Sequence, residues 1–329
     1  MRKKSIEYYD NIIMPLIRSK HSDILSEMSI RISGSVGQGN DDEYSDLDSE
    51  VYLPDDVWKR NGLLQIELDQ LVAETNLWKQ DWTLNGSMIA VHPLSWLLDY
   101  QAEKVLANGE NVPWDKLKFE TLFSVHVDFV YHDPQDKFGT LRRLTAPEKM
   151  PENLWKKAIY KKLHDFLSGG IREIEISVWR KQYEAAYIQF GSALQALYEL
   201  GFLICHQYYP YPKHLRWAFG KLPAPVSKLA EVFQTLSVTE DWQKRLESME
   251  SIYDGYKDYM VARNIAPELD FSFIDPHDMY IHNYMTQAIS FKAWSNPLWF
   301  DEVKSLKEKA VSLGYGPEEF WAVNWWGIE

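Results

Sequence analysis

Apolar positions along the first half of the chain keep two rhythms. They alternate every second residue over Ser29–Ser33, which predicts a strand, and Asp48–Leu53 is a second β-like run. They recur at three and four residues over 5–27 (Ile6, Tyr9, Ile13, Leu16, Ile17), which predicts a helix that Pro15 must bend or restart. Pro54-Asp55-Asp56 predicts a helix start, and this helix is expected to run to about Lys79 with Leu63, Ile66, Leu71 and Val72 on its inner face. Trp82 to Val91 reads as a third strand interrupted by an Asn85-Gly86 hairpin signal. Leu94 to Ala107 reads as helix, and Val125 to Tyr131 as a further strand closed by Asp133-Pro134.

After Thr145-Ala146-Pro147-Glu148 the two-residue rhythm disappears. Helices are expected over 151–168, 171–200, 224–236, 239–263, 276–293 and 298–313. Gly169-Gly170, Gly201, the run Tyr209–Lys213 and Leu222-Pro223-Ala224-Pro225 separate some of them. The expected architecture is therefore α+β: a mixed-sheet domain over 1–147 followed by an all-α bundle over 148–329.

Composition narrows the class. The 329 residues are 45% hydrophobic and 25% charged, ordinary for a globular chain with a full core. No apolar run approaches the roughly 18–20 residues of a membrane helix, and the start MRKKSIEYYDN has no apolar stretch of the signal-peptide kind. The single cysteine, Cys205, leaves no internal disulfide, fits a reducing cytoplasm, and sits in an apolar helical run as a buried thiol. A net charge of −13 disfavours a nucleic-acid polymer as partner and suits a cationic small molecule. The 14 Trp and 19 Tyr read first as large core residues.

The chemistry gathers between Ile32 and Leu53, ISGSVGQGNDDEYSDLDSEVYL. Asp46 and Asp48 lie two apart and share a strand face, about 6–7 Å from each other. Such a pair repels itself unless a cation intervenes, and Mg²⁺ favours a few carboxylates with phosphate oxygens and water. Gly34-Ser35 supplies the kind of small loop that holds phosphate through backbone N–H groups. A solvated acidic loop would explain Asp41, Asp42, Glu43, Asp46, Asp48 and Glu50, but not the Gly-Ser at its spacing. A calcium loop counted from Asp46 fails, with Val51 at the glycine position and Val57 at the glutamate position.

Gly34-Ser35, ten residues, then Asp46-Leu47-Asp48 resembles the signature of the DNA-polymerase-β-type nucleotidyltransferase superfamily, and within it the antibiotic nucleotidyltransferases of the kanamycin and lincosamide type. The likeness is strong over 29–53 and fainter to about 145, through Val91-His92-Pro93, Leu97-Leu98-Asp99-Tyr100 and Val130-Tyr131-His132-Asp133. It implies transfer of a nucleoside monophosphate from a nucleoside triphosphate, ATP in the first instance, to a hydroxyl of a small acceptor, with Mg²⁺. It implies Asp46 and Asp48 as metal ligands and Gly34, Ser35 and Ser45 against the nucleotide. A third acid is expected on a neighbouring strand, where this chain has Ala90; Asp128 is the nearest substitute as metal ligand or catalytic acid. Glu173 and Glu175 lie in the region where the kanamycin enzymes carry a glutamate base.

The remaining candidates carry less. His126 and Asp128 are two apart on the expected strand, and His277 and His282 are five apart, without zinc spacing. Lys213, His214 and Arg216 follow the aromatic run Tyr208-Tyr209-Pro210-Tyr211, which reads as a loop packed on the bundle. Three functional classes follow: an enzyme modifying a small hydroxylated molecule, a nucleotide-binding regulator that has lost turnover, and a toxin-type enzyme acting on a macromolecule. The acidic charge and large helical half favour the first over the third. The oligomeric state stays open, a homodimer included.

Overall fold

The computed structural model describes residues 2–43, 45–75, 88–109 and 111–266. The chain divides into two compact units, Met1–Lys149 and Met150–Glu329. The first unit is built on four strands: β1 (Ser29–Ile32), β2 (Asp48–Leu53), β3 (Met88–Pro93) and β4 (Phe129–His132). Their order is β3–β2–β1–β4; β1 runs antiparallel to β2 and β4, and β2 parallel to β3. A parallel pair needs a crossover. Here two helices supply it, α4 (Asp55–Arg60) and α5 (Leu64–Thr75).

One sheet face is apolar. Ile30, Ile32, Val51, Leu53, Ile89 and Val91 are buried on it. They meet the N-terminal helices α1 (Arg2–Tyr8) and α2 (Met14–Lys20), and Leu64 and Leu68 of α5. Each such side chain contributes about 1.5–3 kcal/mol by leaving water. Ser49 also points there, and its hydroxyl is satisfied by Tyr9 Oη at 2.5 Å. Pro15 lies in the first turn of α2, where it forfeits no intrahelical bond. The chain restarts there after a π-helical turn, Tyr9–Ile13.

Several expectations shift. The helix from Pro54 breaks at Asn61–Leu63, which resets its phase; Leu64 and Leu68 are buried, while Leu63 and Ile66 are exposed at 67% and 52%. Residues 125–127 are not strand but the last turn of α8 (Phe119–Val127), whose buried Leu122, Phe123 and Val125 follow a helical period that begins upstream. Asp128 is its C-cap, and only then does β4 start. Helix 94–107 is broken by α6 (Leu97–Tyr100), whose Leu98, Asp99 and Tyr100 all have positive φ, ahead of α7 (Ala102–Asn108). Burial of Leu97 and Leu98 holds that turn, as does Asp99 Oδ2, which accepts the Lys118 N–H at 3.0 Å. The expected Trp82 start of the third strand, its Asn85-Gly86 turn and the helix end near Lys79 lie outside the described residues.

The described part of the second unit is helical, from α10 (Glu152–Gly169) through α11 (Ile171–Trp179), α12 (Tyr183–Ile204), α13 (Leu215–Phe219) and α14 (Ala230–Val238) to α15 (Trp242–Ala262). The single helix expected over 171–200 is two, parted at Lys181 with φ 59°. No Gly or Pro marks that break. Trp155, Tyr160, Phe166, Phe202, Phe219, Phe233 and Tyr256 are fully buried, so the aromatics do fill the core. Cys205 donates to Tyr259 Oη at 3.7 Å, and burial pushes its thiol pKa up. The helices expected over 276–293 and 298–313, with His277 and His282, lie outside the described residues.

Candidate functional site

The end of β1 meets the start of β2 at a glycine. Ser33 N–H donates to the Asp48 carbonyl at 2.8 Å, which ties the two strand ends together. Gly34 then turns with φ +61°, a conformation that strains any residue with a Cβ. A Cβ there would stand 2.7 Å from Asp48 Oδ2. The missing side chain is therefore what lets the Asp48 carboxylate lie against the backbone. α3 (Gly34–Gln38) follows, and Gly37 packs so closely that its Cβ would fall 1.9 Å from the Ile32 carbonyl oxygen.

Burial alternates from Ser45 to Glu50. Ser45, Leu47 and Ser49 are buried; Asp46, Asp48 and Glu50 are half-buried. The strand period thus extends back beyond β2, and the three acids fall on one face. Ser45 Oγ is engaged locally, donating to Asp42 Oδ1 at 3.0 Å and accepting the Asp42 N–H at 2.9 Å. It closes the acidic loop.

Deeper on the same face stands Arg31. Its Nε donates to Glu50 Oε2 at 2.7 Å and its Nη2 to Tyr52 Oη at 3.1 Å. Its Nη1 is 3.5 Å from Asp128 Oδ2. Arg31 is 7% exposed and Asp128 2%. The guanidinium lies over the rings of Tyr52 and of Phe138, which reaches across from α9 (Lys137–Leu144). Burial opposes the Arg31 charge, but Glu50, Tyr52 and Asp128 more than restore it. Burial also pushes the Asp128 carboxyl up to about 7, against the pull of Arg31.

Asp128 is therefore brought to the face that carries Asp46 and Asp48, but as a partner of Arg31 on a helix cap. Among the described residues no three His, Cys, Asp or Glu side chains converge as a group able to hold a metal, so Asp46, Asp48 and Asp128 do not form a three-carboxylate set. β3 offers no acid in compensation, since Ala90 is the register partner of Glu50. His126 does not pair with Asp128: it sits inside α8 and its Nε2 lies 3.0 Å from the Thr145 carbonyl. Glu173 and Glu175 are half-buried on α11, where Arg172 Nη1 approaches Glu175 Oε2 at 3.7 Å. His214 is buried in the turn after the aromatic run, with Tyr208 and Tyr209 buried beside it in sequence, as a packed loop requires.

Glu50, named above only as one of the loop's acids, and Arg31 are residues of the site that were not among the candidates. Both had a signal. The period of two from Asp46 continues to Glu50, and Arg31 is the one charge inside the apolar strand SIRI.

A family described as a domain of unknown function (DUF4037) matches residues 114–217, a span that begins after the Gly34–Asp48 stretch and crosses from the first unit into the second. No curated protein matches. Among solved structures, a nucleotidyltransferase-like protein from Exiguobacterium sibiricum 255-15 is similar at 13% identity with a TM-score of 0.35, covering 75% of this chain and 78% of that one. Among the described residues no helix is long and apolar enough to cross a membrane.

Proposed function

We propose that the first unit is a nucleotidyltransferase that moves a nucleoside monophosphate from a nucleoside triphosphate, ATP in the first instance, to a hydroxyl of a small molecule. The observation that carries this reading is the fit of the Asp48 carboxylate against the side-chain-free turn at Gly34, 2.7 Å from where a Cβ would stand. A loop that must stay open to a large anion has reason to lack a side chain there.

The donor set suits Mg²⁺. Asp46 and Asp48 are hard oxygen donors and only half-buried. In this reading both hold the ion, which when bound offsets the roughly four negative charges of a triphosphate. The backbone at Gly34 and Ser35 orients the phosphates. Arg31 withdraws Glu50 and Asp128 from the metal by pairing with both, so the site presents two carboxylates and not four. Asp128 is the first unit's candidate for removing the acceptor proton, and the amide series described below tests it beside Glu173 and Glu175. Aminoglycosides and lincosamides are the first acceptors to screen, being hydroxylated and, for the former, strongly cationic against a chain of net charge −13.

The test is release of pyrophosphate with Mg²⁺ and ATP, and mass spectrometry of a hydroxylated acceptor panel for the added monophosphate. Asp46→Asn and Asp48→Asn should abolish both. Mg²⁺-dependent ATP binding that Asp46→Asn/Asp48→Asn leaves unchanged would overturn the reading, because two carboxylates cannot accept a triphosphate unaided; the Coulomb cost is several kcal/mol even at an effective dielectric of about 20. A second reading, a nucleotide-binding regulator without turnover, is favoured by Ala90 opposite Glu50 and by the missing third carboxylate. It predicts Mg²⁺-dependent binding with no product on any acceptor.

A further inference from the structure

Away from the Asp46–Asp48 pair, the first unit holds two cavities that share a wall. One, of about 280 Å³, is lined by Val112, Trp114, Leu144 and Lys149. The other, of about 580 Å³, is lined by Arg142, Arg143 and Lys149, with His126 and Glu148 beside them. Lys149 borders both, and Leu144 follows Arg143 in the chain. A slot bordered by Trp114, Val112 and Leu144 thus adjoins a basin bordered by cations.

The basin is cationic in a chain that is strongly acidic. Three permanent cations face one carboxylate, Glu148. Burial lowers the pKa of His126 at the basin's edge. Arg142 is fixed in advance: its Nε donates to the Val125 carbonyl at 2.7 Å and its Nη2 to the Asp128 carbonyl at 2.6 Å. Those bonds also cover carbonyls at the C-terminal end of α8, which would otherwise repel an anion. Arg143 is held only by Asp136 and Thr140, in a pair whose side chains are 64% and 63% exposed and which a stronger anion can displace. Among the described residues no carboxylate pairs with Lys149.

We propose that these two cavities together bind a nucleoside polyphosphate, with the base against Trp114 and the phosphates among Arg142, Arg143 and Lys149. A planar guanidinium suits a phosphate better than a point charge does, and two are present. Base-on-aromatic stacking adds about 1–3 kcal/mol and tolerates any base. The larger cavity is in the size range that small ligands occupy. This site owes nothing to the Asp46–Asp48 reading. It needs no divalent ion, because its own side chains supply the positive charge.

That difference gives the test. ADP, adenosine and inorganic pyrophosphate are titrated calorimetrically in EDTA into the wild type and into the Asp46→Asn/Asp48→Asn double variant. The expected result is one ADP site of equal affinity in both proteins. Arg143→Ala/Lys149→Ala, two exposed positions, should weaken ADP at least tenfold. Trp114→Ala should weaken ADP at least fivefold and leave pyrophosphate unchanged, and Trp114→Phe should restore most of the ADP affinity. No ADP binding in EDTA overturns the proposal, as does binding that the Asp46→Asn/Asp48→Asn variant loses. Pyrophosphate binding as tight as ADP overturns the base slot. Absence of transferase activity with persistent metal-free ADP binding refutes the catalytic reading alone; the reverse pattern refutes this one alone.

Discussion

Replacing Asp128 by asparagine isolates a buried charge whose cost depends on pH. The carboxyl is 2% exposed, and burial raises its pKa from 3.8 to about 7 although Arg31 Nη1 stands 3.5 Å away. Between those values the folded protein holds a proton that the unfolded chain has released. Stability therefore falls as pH rises, and this group's contribution is complete below pH 3.8 and lost through pH 7. Integrating the two titrations from pH 5 to pH 8 gives a loss of about 2.5 kcal/mol. Asparagine keeps the shape and cannot ionise. The stability of Asp128→Asn minus that of the wild type should rise by about this amount from pH 5 to pH 8, while every other titrating group cancels in the difference. Urea unfolding followed by tryptophan fluorescence at four pH values measures it. A difference that stays flat within about 0.5 kcal/mol shows that Asp128 is not desolvated in this way. A difference of opposite sign shows that its bond to Arg31 outweighs burial.

Three other outcomes follow from the geometry. Gly34→Ala should cost about 1–2 kcal/mol for the left-handed backbone and displace the Asp48 carboxylate; an unchanged melting temperature together with unchanged Mn²⁺ binding contradicts the close contact. Leu64→Ala should cost about 2–5 kcal/mol and Leu63→Ala less than about 0.5, so equal effects in chemical denaturation would put the helix after β2 in the wrong phase. On a confirmed acceptor, Asp46→Asn should abolish transfer; whichever of Asp128→Asn, Glu173→Gln and Glu175→Gln lowers kcat at least about a hundredfold identifies the base, and activity in all three removes each from that role.

How much of this was legible without coordinates differs from one element to the next. β2 was readable because Val51-Tyr52-Leu53 is a short β-branched and aromatic run that follows the motif directly and is closed by Pro54. α8 was misread because Val125, Val127, Phe129 and Tyr131 satisfy a period of two as well as a helix end does, and only the upstream Leu122 breaks the tie. The split at Lys181 left no trace, since a lysine in the left-handed region has no compositional mark of the kind that glycine leaves. At the site, the approach of Asp48 to Gly34 follows from strand pairing and could be anticipated. The Arg31–Asp128 contact joins residues 97 apart through a helix cap, and no local pattern encodes such a meeting.

The left-handed turn at Leu98–Tyr100 has a reach well beyond its own corner. Three side-chain-bearing residues in that conformation cost roughly 3–6 kcal/mol, at about 1–2 each. The outlay persists because Asp99 grips the amide of Lys118, the residue from which α8 springs. At about 1.5 Å per residue, α8 is a rod of roughly 13 Å. Its far end delivers Asp128, through the Asp128 N–H to the Ser124 carbonyl, against Arg31. The helix thus works as a strut between a wound spring and a buried charge. Loosening the spring by Asp99→Ala should free the near end of the strut and shift the carboxylate at the other, one helix length from the substituted side chain.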